Sequence, residues 1–311
     1  MPDDLRRTSS ALIRSSALLA GCFLTAILRA AGADAADLDR TLRQLGYEQI
    51  ILRGTAEHHL FLFGRVNGRQ RSCLVDTGWS YTTINLNTAR HLTTPGTVNE
   101  LRLGRVTLTN EPVRAQDLRM NGQPASFDLV LGCDFLIRHH AVIDCAGRRL
   151  YLRPEPLANG ARKALAAALH RRGGGGGARL TRRAPLALTC AAKLNGGDVE
   201  LLVDTGAMWS CLDSQVTQAL GLRVAASPNQ MSGATTARKR EFGVTRVTAF
   251  ELGGRKTAHV NFAVLDLADW GLGLDGQILG SVGGILGGDE LAASRAVIDC
   301  DQLQLWRWGS E

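Results

Sequence analysis

Apolar residues recur along this chain in short continuous or alternating runs rather than at the three- and four-residue spacing of a helix face. Gln49-Ile50-Ile51-Leu52, Leu60-Phe61-Leu62-Phe63, Val244 to Phe250 and His259 to Leu265 are such runs, each bounded by Gly, Asn or Asp, and they predict strands joined by turns. Helical periodicity is confined to Thr88 to Leu92, Ser214 to Leu220 and the segments after Gly132 and Gly287, with helical composition at Ala164 to Leu169. A parallel α/β sheet needs long helices between its strands, and the pattern supplies none. The expectation is an all-β chain.

The pattern also occurs twice. Asp76-Thr77-Gly78 follows Leu74-Val75, and Asp204-Thr205-Gly206 follows Leu201-Leu202-Val203. Asn67-Gly68 stands nine residues before Asp76, and Asn195-Gly196 nine before Asp204. Downstream, Leu101 to Gly104 answers Phe250 to Gly253, and Gln116-Asp117-Leu118 answers Leu265-Asp266-Leu267. Leu129-Val130-Leu131-Gly132 answers Ile285-Leu286-Gly287, and Ala141-Val142-Ile143-Asp144-Cys145 answers Ala296-Val297-Ile298-Asp299-Cys300. Landmarks in one order across two segments mark an internal repeat, which is read before local structure.

On these residues the chain resembles the retropepsin-like aspartic proteases in a tandem, single-chain form, over roughly residues 55 to 153 and 181 to 308. The resemblance is carried by the two Asp-Thr-Gly triplets, the two apolar-apolar-Gly signatures and Gly132-Cys133-Asp134-Phe135-Leu136. It implies two β-barrel lobes in a pepsin-like bilobal arrangement, with the triplets facing each other at the floor of a cleft. It further implies an endopeptidase in which Asp76 and Asp204 activate water. Two adjacent carboxylates hold one proton between them, so one can act as base while the other donates to the scissile carbonyl. Thr77 and Thr205 would fix the two loops, and Gly78 and Gly206 would let backbone approach the carboxyls. Neither metal nor other cofactor is expected. The competing reading is a peptide-binding module of the same fold that does not cleave.

The copies differ. Asp76 to Gly104 spans 28 residues and Asp204 to Gly253 spans 49, so the second copy carries 21 more. In the family it resembles, a hairpin at this place closes over the substrate, so the resemblance implies a single flap, with Met231, Ser232, Gly233, Ala234 and Thr235 at or near its tip. Small residues usually follow such triplets, as Ala207 does, whereas Trp79 would either block the cleft or wall a specificity pocket. Ser80 and Ser210 are candidate hydroxyl partners for the outer oxygens of Asp76 and Asp204.

Residues 1–35 read as an export signal: Arg6, Arg7 and Arg14 precede the uncharged run Ser15 to Leu28, which is short for a membrane span, and small residues follow. A periplasmic or secreted protein is expected. Leu19-Ala20-Gly21-Cys22 also resembles a lipobox, which would anchor the chain through Cys22; the ordinary signal is favoured. Residues 36–155 and 181–311 would then be the lobes and 156–180 a basic, glycine-rich linker. The formal charge of +7 sits almost wholly in residues 156–183, which hold seven basic residues and no acid, so nucleic-acid binding by the lobes is not supported. Six cysteines lie beyond the leader with no spacing that specifies disulfides or a metal site. The expected partner is a peptide or protein substrate, met by a monomer.

Overall fold

The computed structural model describes residues 37–56, 58–120, 123–171, 177–231, 240–268 and 282–308. The repeat is visible as repeated geometry. Asn67-Gly68 and Asn195-Gly196 each turn a hairpin with both residues in the left-handed region (φ 47° and 78°, 50° and 92°), the conformation that a two-residue turn between twisted strands requires. Each Asn side chain then accepts from the next segment: Asn67 Oδ1 from the Glu100 N–H, Asn195 Oδ1 from the N–H groups of Thr248 and Ala249. After each hairpin, the strand leading to Asp-Thr-Gly runs parallel to the apolar-apolar-Gly strand. Arg69–Val75 pairs with Leu129–Leu131, and Gly197–Val203 with Gly284–Leu286.

The two copies meet through like residues. Val142–Asp144 lies antiparallel to Val297–Asp299 in the register Val142↔Asp299, Ile143↔Ile298, Asp144↔Val297. The bonds just outside it are reciprocal, Cys145 N–H to Ala296 O (3.0 Å) and Cys300 N–H to Ala141 O (2.9 Å). A pseudo-two-fold axis therefore passes between Ile143 and Ile298, both fully buried.

That junction corrects the expected fold class. The chain is not all-β, and it is not a pair of closed barrels in a bilobal arrangement. Its larger sheet has fifteen strands and runs from Glu48–Ile51 through the junction to Val224–Met231 without closing on itself. The eight-stranded sheet, from Val106–Pro112 to Arg114–Gln116, is also open. The physical reason is that Val142–Asp144 and Val297–Asp299 satisfy their backbone groups on each other instead of closing a barrel within each copy.

Helices supply the second correction. Six occur among the described residues: 37–44, Leu86–Ala89, Cys133–Arg138, Asn159–Arg171, Ser214–Ala219 and Gly288–Ala293. Two of them form a layer on the shared sheet. Leu38 and Leu42, one helical turn apart, and Leu165 and Leu169, spaced likewise, pack with Tyr47, Val142, Tyr151, Val297 and Trp308 in one apolar cluster. The helix Asn159–Arg171 falls within the expected 156–180 linker and places Leu165 and Leu169 in this cluster; residues 172–176 lie outside the described residues. Cys73, Cys133, Cys145, Cys190, Cys211 and Cys300 are buried and free.

Candidate active site

Each Asp-Thr-Gly loop leaves the end of its strand and is caught by the parallel neighbour, with Asp76 N–H donating to Leu131 O (3.1 Å) and Asp204 N–H to Leu286 O (3.0 Å). The two loops then lock together through their threonines. Thr77 Oγ1 donates to Val203 O (2.7 Å) and accepts from the Thr205 N–H (3.0 Å). Thr205 Oγ1 donates to Val75 O (2.8 Å) and accepts from the Thr77 N–H (3.1 Å). Both hydroxyls are buried, at 0% and 1% exposure, so these four bonds form where water does not compete.

Each carboxyl is held by its own loop and lies against the glycine of the other. Asp76 Oδ1 accepts from the Gly78 N–H (2.9 Å), and Asp204 Oδ1 from Gly206 N–H (2.8 Å) and Ala207 N–H (3.0 Å). Each glycine of a triplet faces the other copy's carboxyl. A Cβ on Gly78 would lie 2.3 Å from Asp204 Cγ, and one on Gly206 would lie 2.2 Å from Asp76 Oδ2. No residue with a side chain fits at either place.

Burial, and next the charge of Asp204, push the Asp76 carboxyl well above the usual carboxylate range. Burial also raises Asp204, opposed by the Gly206 N–H, the bond from Asp76, the Ala207 N–H and the charge of His59. Two carboxyls in one buried site cannot both ionise cheaply, so the pair titrates as a unit and holds one proton over a wide pH range.

The serines are not placed as expected. Ser210 Oγ donates to Asp289 Oδ1 (2.7 Å) and accepts from the Gly287 N–H (2.9 Å), away from Asp204. Ser80 is buried with its hydroxyl unpartnered, and makes no bond to Asp76. The counterpart of Ser210 is Thr82. Its N–H and Oγ1 both donate to Asp134 Oδ1 (2.7 Å each), as the N–H (2.8 Å) and Oγ of Ser210 donate to Asp289. Asp134 and Asp289 thus tie the loop after each triplet to the helix after each apolar-apolar-Gly segment. Sequence reasoning missed Thr82, Asp134 and Asp289 as site residues, although a signal existed. Thr82 and Ser210 stand six residues after their aspartates, and Asp134 and Asp289 two after their glycines.

Trp79 is a wall. Its Nε1 donates to Thr83 Oγ1 (2.8 Å), and its ring packs with Leu74, Leu118, Val130 and Phe127. These apolar groups line a pocket of about 450 Å³, open mouth included, that reaches Asp76, Gly206 and His59. In the second copy, the extra residues form a hairpin of Val224–Met231 against Arg240–Val247, anchored near its base by Phe242 on Trp209 (ring centroids 5.5 Å apart). Ser232, Gly233, Ala234 and Thr235, expected at the tip, lie outside the described residues, and Met231 is placed by its backbone pairing with Arg240. Among the described residues no group of His, Cys, Asp and Glu could hold a metal ion.

Residues 190–289 match the family model for aspartyl protease. No curated protein matches the chain. Among solved structures, the aspartic proteinase from Irpex lacteus is 14% identical with a TM-score of 0.50, over 85% of this chain and 98% of that one. The EIAV protease complexed with the inhibitor HBY-793 is 22% identical over 36% of this chain and 90% of its own, with a TM-score of 0.27. A retropepsin-like aspartic protease from Rickettsia conorii is 21% identical over 43% and 92%, with a TM-score of 0.31. With buried Asp-Thr-Gly loops locked across a pseudo-two-fold axis, and likeness to the Irpex lacteus enzyme across most of both chains, this protein has the fold of the aspartic-protease superfamily.

Proposed function

We propose that this protein is an aspartic endopeptidase whose catalytic residues are Asp76 and Asp204. What supports the reading is that two carboxyls, Asp76 buried and Asp204 half-buried, are each held by their own loop's N–H groups and lie against the other loop's glycine, beside a pocket with apolar walls. The ionised carboxyl takes a proton from water as the water oxygen attacks the peptide carbon, and the protonated carboxyl gives its proton to the carbonyl oxygen. The resulting tetrahedral species collapses by breaking the C–N bond, with a proton passing to the leaving nitrogen. The Trp79 pocket accepts a large apolar side chain beside the bond that is cut.

The hairpin of Val224–Met231 and Arg240–Val247 serves as the single flap, closing over substrate from the C-terminal half alone. Deleting residues 230–236 should abolish turnover and leave the fold intact. Export directed by residues 1–35 belongs to the same reading.

The test is cleavage of a diverse peptide library from pH 3 to 7, with and without pepstatin, by the wild-type chain and by an Asp76→Asn/Asp204→Asn double variant. Pepstatin-sensitive cleavage that disappears in the double variant supports the dyad. A folded wild-type protein that binds peptides and cuts none would replace the enzyme with a binding module.

A further inference from the structure

The pocket beside Asp76 has a counterpart in the second copy, and the repeat says which residues surround it. Leu74, Trp79, Gln116, Leu118, Phe127 and Val130 line the first. Leu202 and Ala207 stand where Leu74 and Trp79 do relative to the aspartates, and Leu265 and Leu267 answer Gln116 and Leu118. Val282 and Ile285 stand five and two residues before Gly287, as Phe127 and Val130 stand before Gly132. Every one of these counterparts belongs to a single apolar cluster. The two places differ in how open they are. Gln116 is exposed and Phe127 half-buried, whereas Leu265 and Val282 are 4% and 5% exposed.

What fills the second place is Phe242, from the strand Arg240–Val247 of the hairpin that the first copy lacks. Phe242 is 8% exposed and packs on Trp209, with ring centroids 5.5 Å apart and planes at 43°. Opposite it the partner strand bulges: pairing steps from Ala226↔Gly243 to Gln230↔Glu241, so Ser227, Pro228 and Asn229 stand against Phe242 alone. A bulge bends the ribbon and re-aims side chains beside it. The neighbouring positions make room for the ring. Ala207 has only a methyl where the first copy has the indole of Trp79. Tyr81, the counterpart of Trp209, is covered by the Arg114 guanidinium at 3.4 Å, and the residue equivalent to Arg114 is Ala263, which leaves Trp209 to Phe242.

We propose that Phe242 is a specificity-determining residue: it occupies, from within the chain, the pocket that the pseudo-two-fold relation places on the other side of the dyad from the Trp79 pocket. The consequence for cleavage rests on the endopeptidase reading. A substrate bound over Asp76 and Asp204 finds an open apolar pocket on one side of the bond to be cut and a filled one on the other. The protein therefore selects a large apolar side chain on one side only and takes small side chains opposite. Removing the Phe242 ring vacates a space whose remaining walls are apolar, and such a space binds apolar groups.

The test reads both sides of each bond cut in a diverse peptide library by the full-length chain, wild type beside Phe242→Ala. Wild type is expected to favour large apolar residues on one side of the bond and small residues on the other. In Phe242→Ala the ratio of kcat/KM for Phe over Ala at the second position should rise about tenfold or more, with the first position unchanged. Large apolar residues favoured on both sides by wild type, or an unchanged profile in the variant, overturns the proposal. Phe242→Val takes the place of the alanine variant if that one fails to fold. A second measurement needs no cleavage. Benzene added to the variant, with leucine and isoleucine methyls labelled with carbon-13, should shift the Leu202, Leu267 and Ile285 signals at concentrations that leave wild type unchanged; no such shift overturns the proposal. Benzene binding by a variant whose wild type cleaves no peptide keeps Phe242 as the occupant of the pocket and sinks the endopeptidase reading alone.

Discussion

Replacing Thr77 by Val tests what holds the two halves of the site in register. The change keeps the shape of the side chain and removes one hydroxyl, which donates to Val203 O at 2.7 Å and accepts from the Thr205 N–H at 3.0 Å. Both groups left behind are backbone groups in the buried interface between the loops. Each buried polar group deprived of its partner costs roughly 1–3 kcal/mol, so the variant should lose about 2–6 kcal/mol. That is a large fraction of the roughly 5–15 kcal/mol that holds a folded protein together. Urea unfolding gives the loss, read from the midpoint at constant slope. Thr77→Ser keeps the hydroxyl and should cost far less. Thr205→Val removes the other two bonds, so no bond is shared between the two valine variants. Combining them should cost less than their sum, because a loop freed by the first change has little left for the second to break. A Thr77→Val protein within about 1 kcal/mol of wild type would refute the argument that these buried hydroxyls fasten the loops.

Gly206→Ala places a methyl 2.2 Å from Asp76 Oδ2, so the carboxyls must separate; peptide cleavage should fall below detection while circular dichroism stays close to wild type. Leu165→Ala should destabilise the protein by about 2–5 kcal/mol in urea unfolding, because Leu165 is fully buried in the helix over the shared sheet; a loose tether would show no effect. Asp299 has its carboxyl raised from 3.8 to about 6, chiefly by burial. A group raised on folding contributes stability that is complete below its unfolded pKa and lost as pH rises through its folded one. Stability should therefore fall between about pH 4 and 6 by about 3 kcal/mol relative to Asp299→Asn, measured as the difference between their urea midpoints across that range.

Much of the site could be read from residues alone because its chemistry is local. An Asp, a Thr and a Gly in sequence stay together in space, and a repeat announces that a second set exists. The turn residues were equally legible, since Asn67-Gly68 and Asn195-Gly196 owe their conformation to their own backbones. Partnership across the fold was harder. Ser80 lies close to Asp76 along the chain, yet Thr82 has the position equivalent to Ser210, and the hydroxyl of each is spent on Asp134 or Asp289. The short apolar runs at Val142–Asp144 and Val297–Asp299 predict strands equally well whether a strand closes its own barrel or crosses to the other copy. The error in fold class came from that ambiguity. The layer of helices escaped for a different reason. Leu38 and Leu42 form only one turn of apolar spacing beyond the expected export signal, and Leu165 and Leu169 sit in a segment dominated by its basic charge.

The pairing of Ile143 with Ile298 puts like against like, as two identical subunits would across a dimer axis. In such a dimer every substitution appears twice, and any feature useful on one side of the substrate must be tolerated on the other. Here each copy is spelled out separately. One can hold Trp79 and the other a long hairpin, with neither obliged to carry its counterpart's addition. A peptide lying across the axis therefore meets two different neighbours, and its direction can be recognised from the protein side alone.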